Sequence, residues 1–312
     1  MIEPYATGML DVGDGHRIYW ETSGNPDGKP ALVLHGGPGS GSTPGRRQNL
    51  DPQRYRIVQF DQRSCGRSTP SATDPSTDLA SNTTHHLIAD IERLRVHLGV
   101  ERWLVYGLSW GVTLGLAYAQ RFPGRVTEMV LMSVTMTRRY DVHWLYHETG
   151  RYFPEEWQRF RAGVPEAERD GDLVAAYHRL LNQQPDPDVR ARAARDWCAY
   201  EDAINSLEHG WTPDPRYTDP DFRMRFARLC AHYFSHGAWL EEGEILRNAE
   251  RLAGIPAVLI HGRADYGSPP DVPWLLARAW PDAELHLIRG GHTGGGDRSA
   301  LLRDALNRFA PR

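Results

Sequence analysis

The chain of 312 residues contains little cysteine. Its three cysteines, Cys65, Cys198 and Cys230, form no C-x-x-C pair, and their number is odd. This usage argues against a disulfide framework and against a zinc site built on thiolates. It is typical of a reducing compartment, so we expect the protein to be cytoplasmic.

A strong excess of charge and a long apolar run are also missing. The formal net charge is -4, which gives no reason to expect nucleic acid or an acidic membrane surface as a partner. No apolar run approaches the ~20 residues that a membrane-spanning helix needs, so no membrane partner is expected. Residues 1–15 include acidic residues and no basic stretch, unlike a secretory signal. Hydrophobic residues make up 40% of the chain, enough for a sizeable core.

Short apolar runs alternate with a helical pattern through the first 134 residues. A helix is predicted over residues 82–98, where leucine and isoleucine recur three and four residues apart and Asn82 or Thr83 would cap the first turn. Strands that alternate with helices predict an α/β fold with a mostly parallel sheet and helices on both faces. The strands are expected at residues 16–20, 30–34, 55–60, 103–106 and 126–134.

This alternation stops near residue 135. From there to about residue 250 the pattern predicts several helices broken at prolines and no convincing strand. We therefore predict an α/β core of residues 1–134 and 251–312 that is split by a helical cap of residues 135–250. The elements expected after the cap are strands at residues 256–261 and 283–288 and a last helix at 299–309.

One serine stands in the segment Gly107-Leu108-Ser109-Trp110-Gly111, directly after an apolar run and directly before a helical pattern. This is G-x-S-x-G in the strand, sharp turn and helix context of a nucleophile elbow. Glycines are needed because the turn is strained and two chain segments pass close to the serine. We predict that Ser109 is a catalytic nucleophile at a helix N-terminus, which stabilises developing negative charge.

Two later residues would complete a serine triad in the chain order of this architecture, with serine first, then the acid, then histidine. Asp265 and His292 each follow a predicted strand, at the carboxyl end where open α/β sheets place their chemistry. Asp265 would hold one tautomer of the His292 imidazole, and His292 would take the proton of Ser109. Each could instead be an ordinary surface residue, but their shared order and placement favour the catalytic interpretation.

Two backbone N–H groups are expected to form an oxyanion hole. One belongs to Trp110, which follows the nucleophile. The other belongs to the loop His35-Gly36-Gly37-Pro38-Gly39, with Gly37 as the expected donor.

Two histidine pairs, His143/His147 and His232/His236, have the i, i+4 spacing of helical metal ligands. Neither forms H-E-x-x-H, and the sequence places no clear carboxylate as a third ligand beside either pair. We therefore predict no metal and no cofactor.

Eight short motifs spread along the chain match one family. They are H-G-G-P-G at 35–39, D-Q-R at 61–63, G-R-S-T-P at 66–70, N-T-T at 82–84, A-D-I-E-R-L-R at 89–95, S-W-G at 109–111, H-Y-F at 232–234 and H-G-R at 261–263. With these motifs the chain resembles the proline iminopeptidase (prolyl aminopeptidase) family of α/β hydrolases almost end to end. The resemblance implies an α/β-hydrolase fold with a helical cap over the active site. It also implies a serine exopeptidase without metal that releases an N-terminal proline, or another small residue, from peptides through an acyl-enzyme.

The resemblance further implies a substrate pocket, and there the chain departs from its family. An acidic pair grips the free ammonium of the substrate in the family. Glu201 retains one acid of the pair, whereas Cys230 stands where the second is expected. Phe234 remains as an aromatic wall, and Thr135 replaces the phenylalanine that packs on the proline ring.

Two interpretations of these departures stay open. In one, Glu241, Glu242 or Glu244 replaces the lost carboxylate, and the specificity for proline is kept. In the other, the enzyme is an amidohydrolase or a carboxylesterase of a small metabolite. A non-catalytic binding protein is disfavoured because the predicted triad is complete. The substrate is thus a small peptide or a small amide or ester, and the sequence leaves the oligomeric state open.

Overall fold

The computed structural model describes residues 2–206, 213–295 and 297–311, with one eight-stranded sheet at its centre. The strands are β1 (Pro4–Gly13), β2 (His16–Gly24), β3 (Lys29–Leu34), β4 (Tyr55–Phe60), β5 (Trp103–Leu108), β6 (Val126–Met132), β7 (Ala257–Gly262) and β8 (Ala283–Ile288). Their spatial order is β1-β2-β4-β3-β5-β6-β7-β8. β2 pairs antiparallel with β1 and β4, and the other five pairings are parallel. The predicted mostly parallel sheet is confirmed.

The described helices either cover the two faces of this sheet or form the insertion between β6 and β7. They are α1 (Pro44–Arg47), α2 (Thr84–His97), α3 (Trp110–Arg121), α4 (Arg139–Tyr146), α5 (Pro154–Ala162), α6 (Leu173–Asn182), α7 (Pro187–Ser206), α8 (Pro220–Ser235), α9 (Glu244–Arg247), α10 (Asp271–Ala279) and α11 (Arg298–Phe309). Successive strand residues point to opposite faces, so in β3 Leu32 and Leu34 pack with α2 and α3, whereas Ala31 and Val33 pack with α11. No helix in the described part of the chain is long and apolar enough to cross a membrane.

Between β6 and β7 the described residues form helices and no strand, as the sequence predicts. Pro154, Pro187 and Pro220 begin α5, α7 and α8, because the missing N–H of proline costs nothing in a first turn. These helices share an apolar cluster of their own, in which Trp197 is fully buried. The separate cluster is the physical basis for a division into core and cap, whose bounds at residues 135 and 250 stay a prediction.

Most strand bounds differ from the sequence prediction by one to four residues, and two differences have a clear physical cause. The sequence prediction omits β1. This strand lies at the edge of the sheet, and only one of its ten residues is buried, so its apolar pattern is weak. β6 ends at Met132 rather than at Val134. The cause is Ser133, whose φ of 51° lies outside the extended region.

Side chains that directly follow β4 hold the loops around β5 together. Gln62 donates to the carbonyl oxygen of His35 (3.1 Å) and accepts from the indole N–H of Trp110 (2.9 Å). Arg63 forms a buried ion pair with Asp90 on α2, with 2.7 Å between Nε and Oδ2. The D-Q-R segment thus fixes the glycine-rich loop after β3 against the turn after β5.

Candidate active site

Ser109 lies in the sharp turn between β5 and α3. Its φ of 53° and ψ of -123° are a strained combination for a residue with a side chain. A Cβ added at Gly107 would lie 2.6 Å from the carbonyl oxygen of Gly111, and one added at Gly111 would collide with the carbonyl of Leu34. Glycine is therefore required on both sides of the serine. The turn places Ser109 at the N-cap position of α3.

His292 connects the hydroxyl of Ser109 with the carboxylate of Asp265. Its Nε2 lies 2.9 Å from Oγ of Ser109, and its Nδ1 lies 2.9 Å from Oδ2 and 3.0 Å from Oδ1 of Asp265. The backbone N–H of Ser268 donates to the same carboxylate and orients it. With the proton of the imidazole on Nδ1, Nε2 is free to accept the serine proton. The structure brings the three predicted catalytic residues into one hydrogen-bonded chain.

Burial and charge act in opposite directions on Asp265 and His292. Burial disfavours the charge of Asp265, but His292 beside it prevails and holds the pKa of Asp265 below its usual value. Burial also disfavours the charged form of His292, but Asp265 prevails and raises the pKa of His292 above its ordinary value. A raised pKa makes His292 a stronger base for the proton of the nucleophile.

Gly37 and Trp110, the predicted oxyanion donors, both line the cavity beside Ser109. Gly37 has a φ of 114°, which glycine adopts without a steric penalty. Because Gln62 bonds both to Trp110 and to the loop of Gly37, the two segments are held in a fixed relation. Their N–H groups remain our proposed oxyanion hole.

Arg298, on α11, holds the loop that carries His292. Its guanidinium donates to the backbone carbonyls of Gly291 and His292 and to the hydroxyl of Ser133. The hydroxyl of Ser133 in turn donates to the carbonyl of His292. Arg298 is buried, so these contacts fix the backbone of His292. If His292 is the base, as we propose, Arg298 is a positioning residue that acts through it.

A cavity of about 60 Å³ opens onto Ser109 and His292. Of the predicted substrate-binding residues, Thr135, Glu201 and Phe234 line it. The small volume suits a small acyl group. The other described residues in its wall, apart from the catalytic residues and oxyanion donors, are Thr137, Asp141, Val142, Leu145, Asn205, Gly267 and Ser268.

Glu201, on α7, is a buried carboxylate in the wall of this cavity. Its Oε1 accepts a hydrogen bond of 2.6 Å from the phenol of Tyr146. Burial raises the pKa of Glu201, although the Tyr146 bond opposes this shift. Among the described residues no cationic side chain forms an ion pair with Glu201, although the charges of His292 and Arg216 also oppose the rise of its pKa. A buried carboxylate in this state favours a cationic ligand, because burying a charge is costly unless it is paired.

Cys230 does not line the active-site cavity. It is 0% exposed, and its thiol donates to the carbonyl of Pro38 at 3.3 Å. Burial raises the pKa of this thiol well above its usual value. Cys230 thus supports the loop of the proposed oxyanion hole from behind, and the geometry gives no support to the substrate contact expected for it.

A second carboxylate at the cavity, Asp141, is not indicated by the sequence pattern. It pairs with Arg138, with 2.6 Å between Nη2 and Oδ1, so its charge is already compensated. Glu201 is therefore the carboxylate of the described cavity wall that has no cationic partner. The glutamates considered as replacements for the family's second acid lie at other cavities: Glu241, Glu242 and Glu244.

Two further residues of the site are not visible in the sequence pattern. Tyr146 lies 55 positions before Glu201, and only the packing of α4 against α7 brings the two together. Arg298 lies six positions after His292, and this proximity is the one weak signal for its role.

Comparison with known proteins supports a single family. A profile of the α/β hydrolase fold family matches residues 29–298. The chain is 51% identical over 314 residues to a probable proline iminopeptidase of Streptomyces coelicolor, which covers 99% of this chain and 96% of that protein. It is 46% identical over 295 residues to a proline iminopeptidase of Xylella fastidiosa, covering 94% and 92%. The crystal structure of a proline iminopeptidase of Mycobacterium smegmatis shares the fold, with a TM-score of 0.63 at 20% identity, covering 97% and 98%.

The parallel sheet, the helical insertion and the serine at the elbow define a serine hydrolase of the α/β-hydrolase fold. The relatives named proline iminopeptidase align with nearly the whole chain, and this narrows the class to one family. The chain belongs to the proline iminopeptidase family.

The raised pKa of His292 has a consequence for the dependence of activity on pH. His292 must be unprotonated to act as a base, so kcat/KM rises with pH through its pKa. With p-nitrophenyl acetate, which carries no amine, the midpoint of the acid limb is expected above 6.5, the ordinary value for histidine. Asp265→Asn should move this midpoint to lower pH, because the charge that raises the pKa is removed. A midpoint that is the same in both proteins would contradict the coupling of Asp265 to His292.

Proposed function

We propose that the enzyme releases an N-terminal proline, or another small residue, from short peptides. The observation that carries this proposal is Glu201, a buried carboxylate in the wall of the cavity that opens onto Ser109, which forms no ion pair with any residue of the described ranges. An aminopeptidase must recognise a positively charged N-terminus, and a carboxylate in a dry wall binds ammonium through charge-assisted hydrogen bonds. Phe234 offers an apolar surface for the ring of the same residue.

The reaction would proceed in two acyl-transfer steps. His292 takes the proton of Ser109, and Oγ attacks the carbonyl carbon of the first peptide bond. The N–H groups of Gly37 and Trp110 stabilise the oxyanion. His292 then gives its proton to the leaving amine, and the prolyl group remains on Ser109 as an ester. In the second step His292 activates water, which attacks the ester and releases proline.

The wall of the cavity supports an enzyme that removes single residues. Beyond the nucleophile it presents Glu201 to an ammonium and Phe234 to a ring, which are the two features of one N-terminal proline. Thr135 is smaller than the family's phenylalanine, and its hydroxyl is bonded to the carbonyl of Ser109 at 3.0 Å. Thr135 has no aromatic face to stack on the ring of proline. We therefore propose that the enzyme distinguishes proline from alanine less strongly than it distinguishes a substrate with a free ammonium from one without.

Three p-nitroanilides test the proposal, namely prolyl, N-acetylprolyl and cyclopentanecarbonyl. The last has the ring of proline with carbon in place of the amine. A charged hydrogen bond contributes about 1.5–3 kcal/mol, so kcat/KM for the prolyl compound should exceed that for the cyclopentane compound by about 10–150-fold. Similar values for all three compounds would sink the aminopeptidase proposal and favour the alternative, an amidohydrolase or carboxylesterase of a small metabolite.

We also propose that the protein works in the reducing cytoplasm on small peptides. Cys65, Cys198 and Cys230 are all free thiols and all buried, so none depends on oxidation for the fold. A short peptide suits a nucleophile that lies beneath helices of the proposed cap.

A further inference from the structure

Three imidazoles from two helices converge at a place that the catalytic machinery does not use. We infer that His178, His232 and His236 form a binding site for a transition-metal ion such as Zn²⁺. His178 lies on α6, His232 lies in the last turn of α8, and His236 directly follows that helix. Each histidine offers one ring nitrogen, and the three nitrogens lie within 4.8 Å of one another. In the described ranges this is the one such group of three or more histidine, cysteine or carboxylate side chains.

The hydrogen bonds of two of these rings leave one nitrogen of each ring for an ion. Nε2 of His232 lies 3.1 Å from the backbone carbonyl oxygen of Asn82, and Nδ1 of His236 lies 2.8 Å from that of His232. A carbonyl oxygen only accepts, so these two nitrogens carry the proton of the neutral ring. The other nitrogen of each ring keeps its lone pair. Backbone carbonyls orient metal-binding histidines in this way in known sites.

The surroundings keep the ligands neutral and in place. Burial, together with neighbouring histidines, lowers the pKa of His178 and of His232 to about 4. Neither ring must lose a proton at pH 7 before an ion binds. Trp239 stacks on His236 with ring centroids 4.8 Å apart and planes 5° apart, which orients this more exposed ring. Zinc–nitrogen bonds of about 2.0–2.1 Å place tetrahedral ligands about 3.4 Å apart, so the three nitrogens, which lie within 4.8 Å of one another, would draw closer when an ion binds.

The charge around the three histidines selects the class of ion. Imidazole suits Zn²⁺, Cu²⁺ and Ni²⁺, whereas Mg²⁺ and Ca²⁺ prefer oxygen ligands. Arg179 and Arg228 lie close enough to contribute to the lowered pKa of His178. Their positive charge disfavours Mg²⁺ and Ca²⁺, which would gain no bond to an oxygen ligand here to offset the repulsion. His236 also lines a cavity of about 790 Å³, which gives an ion a path to the site and leaves room for water as a fourth ligand.

The three ligands would join α6 to α8, and α8 also carries Phe234 of the active-site wall. An ion that binds only the folded state of the protein raises Tm, and the rise grows with the concentration of the ion. The expected signature is therefore twofold, namely binding of one ion and stabilisation of the fold. Neither readout depends on which peptide or ester the enzyme hydrolyses.

The test uses untagged full-length protein and Zn²⁺ in competition with a chromophoric indicator, followed by Co²⁺ as a spectroscopic probe. We expect one equivalent of Zn²⁺, a Co²⁺ absorption typical of four ligands, and no competition from excess Mg²⁺. His178→Ala and His236→Ala should each weaken Zn²⁺ binding at least about tenfold, since loss of even an outer-shell partner has such an effect. His143→Ala is the matched control, because His143 and His147 stack at 4.6 Å as an i, i+4 pair without a third described ligand.

Equal Zn²⁺ affinity in the wild type and in both site variants would overturn the inference. So would a loss in His143→Ala as large as the loss in His236→Ala. His236 has an exposed side chain, so its variant is expected to fold and decides the question if His178→Ala is unstable.

Discussion

Replacement of Ser109 by alanine is expected to lower kcat for a prolyl anilide by about 10⁶-fold. The change removes the oxygen that forms the acyl bond and leaves the oxyanion donors and the cavity in place, so only slow attack by water remains. Steady-state hydrolysis at enzyme concentrations high enough to detect this residual rate gives the measurement. Covalent labelling by a fluorophosphonate, read as a mass increase of the intact protein, should disappear in the same variant.

Ser76→Ala serves as the control for this experiment. Ser76 is exposed and bonds to Asp74 in a surface turn, so its loss should leave kcat and labelling unchanged. Thermal unfolding of both variants establishes that each is folded. A folded Ser109→Ala protein that keeps more than about a hundredth of the wild-type kcat would place the nucleophile elsewhere.

Glu201→Gln is expected to separate recognition from catalysis. Glutamine keeps the size of the side chain and an oxygen that accepts from Tyr146, but it removes the negative charge. For the prolyl anilide, kcat/KM should fall by about 10–150-fold, which corresponds to about 1.5–3 kcal/mol for a charged hydrogen bond. For the cyclopentanecarbonyl anilide, kcat/KM should stay the same or rise, because no charge is left to be buried against an apolar ring.

The ratio of the two kcat/KM values is therefore the decisive number for Glu201. Glu241→Gln is the control, since Glu241 is exposed and pairs with Arg247 away from the cavity. An equal fall for both substrates would assign Glu201 a structural role. No fall for either substrate would mean that another group holds the ammonium, and Asp141, once released from Arg138, is the candidate at this cavity.

Local sequence signals account for the meeting of the three residues that we propose for catalysis. Ser109, Asp265 and His292 each follow a parallel strand, and parallel strands end at one edge of a sheet, so the three lie near each other. The glycines of the elbow carry a steric requirement that is visible in the sequence. β1 is not predicted, because it forms a strand through its pairing with β2 and its own composition gives little sign of one.

The wall of the cavity is much harder to predict, because it depends on packing between helices distant in sequence. Nothing local to Tyr146 connects it with Glu201, and Asp141 has no sequence mark that distinguishes it from a surface acid. The i, i+4 spacing of His232 and His236 is visible in the sequence. That His178 joins them is not, because it depends on the packing of α6 against α8. Cys230 is a different case, because a position that the family pattern assigns to the substrate pocket is fully buried and bonds to the carbonyl of Pro38.

The burial of Glu201 also couples the binding of a cationic substrate to an exchange of protons with the solvent. Burial raises the pKa of Glu201 in the empty site, whereas an ammonium ion beside the carboxylate would lower it. An enzyme that fills and empties its site therefore holds more protons at Glu201 when empty than when full. At pH values near this raised pKa, binding of an ammonium should expel protons from Glu201, and the heat of proline binding should then change with the ionisation enthalpy of the buffer.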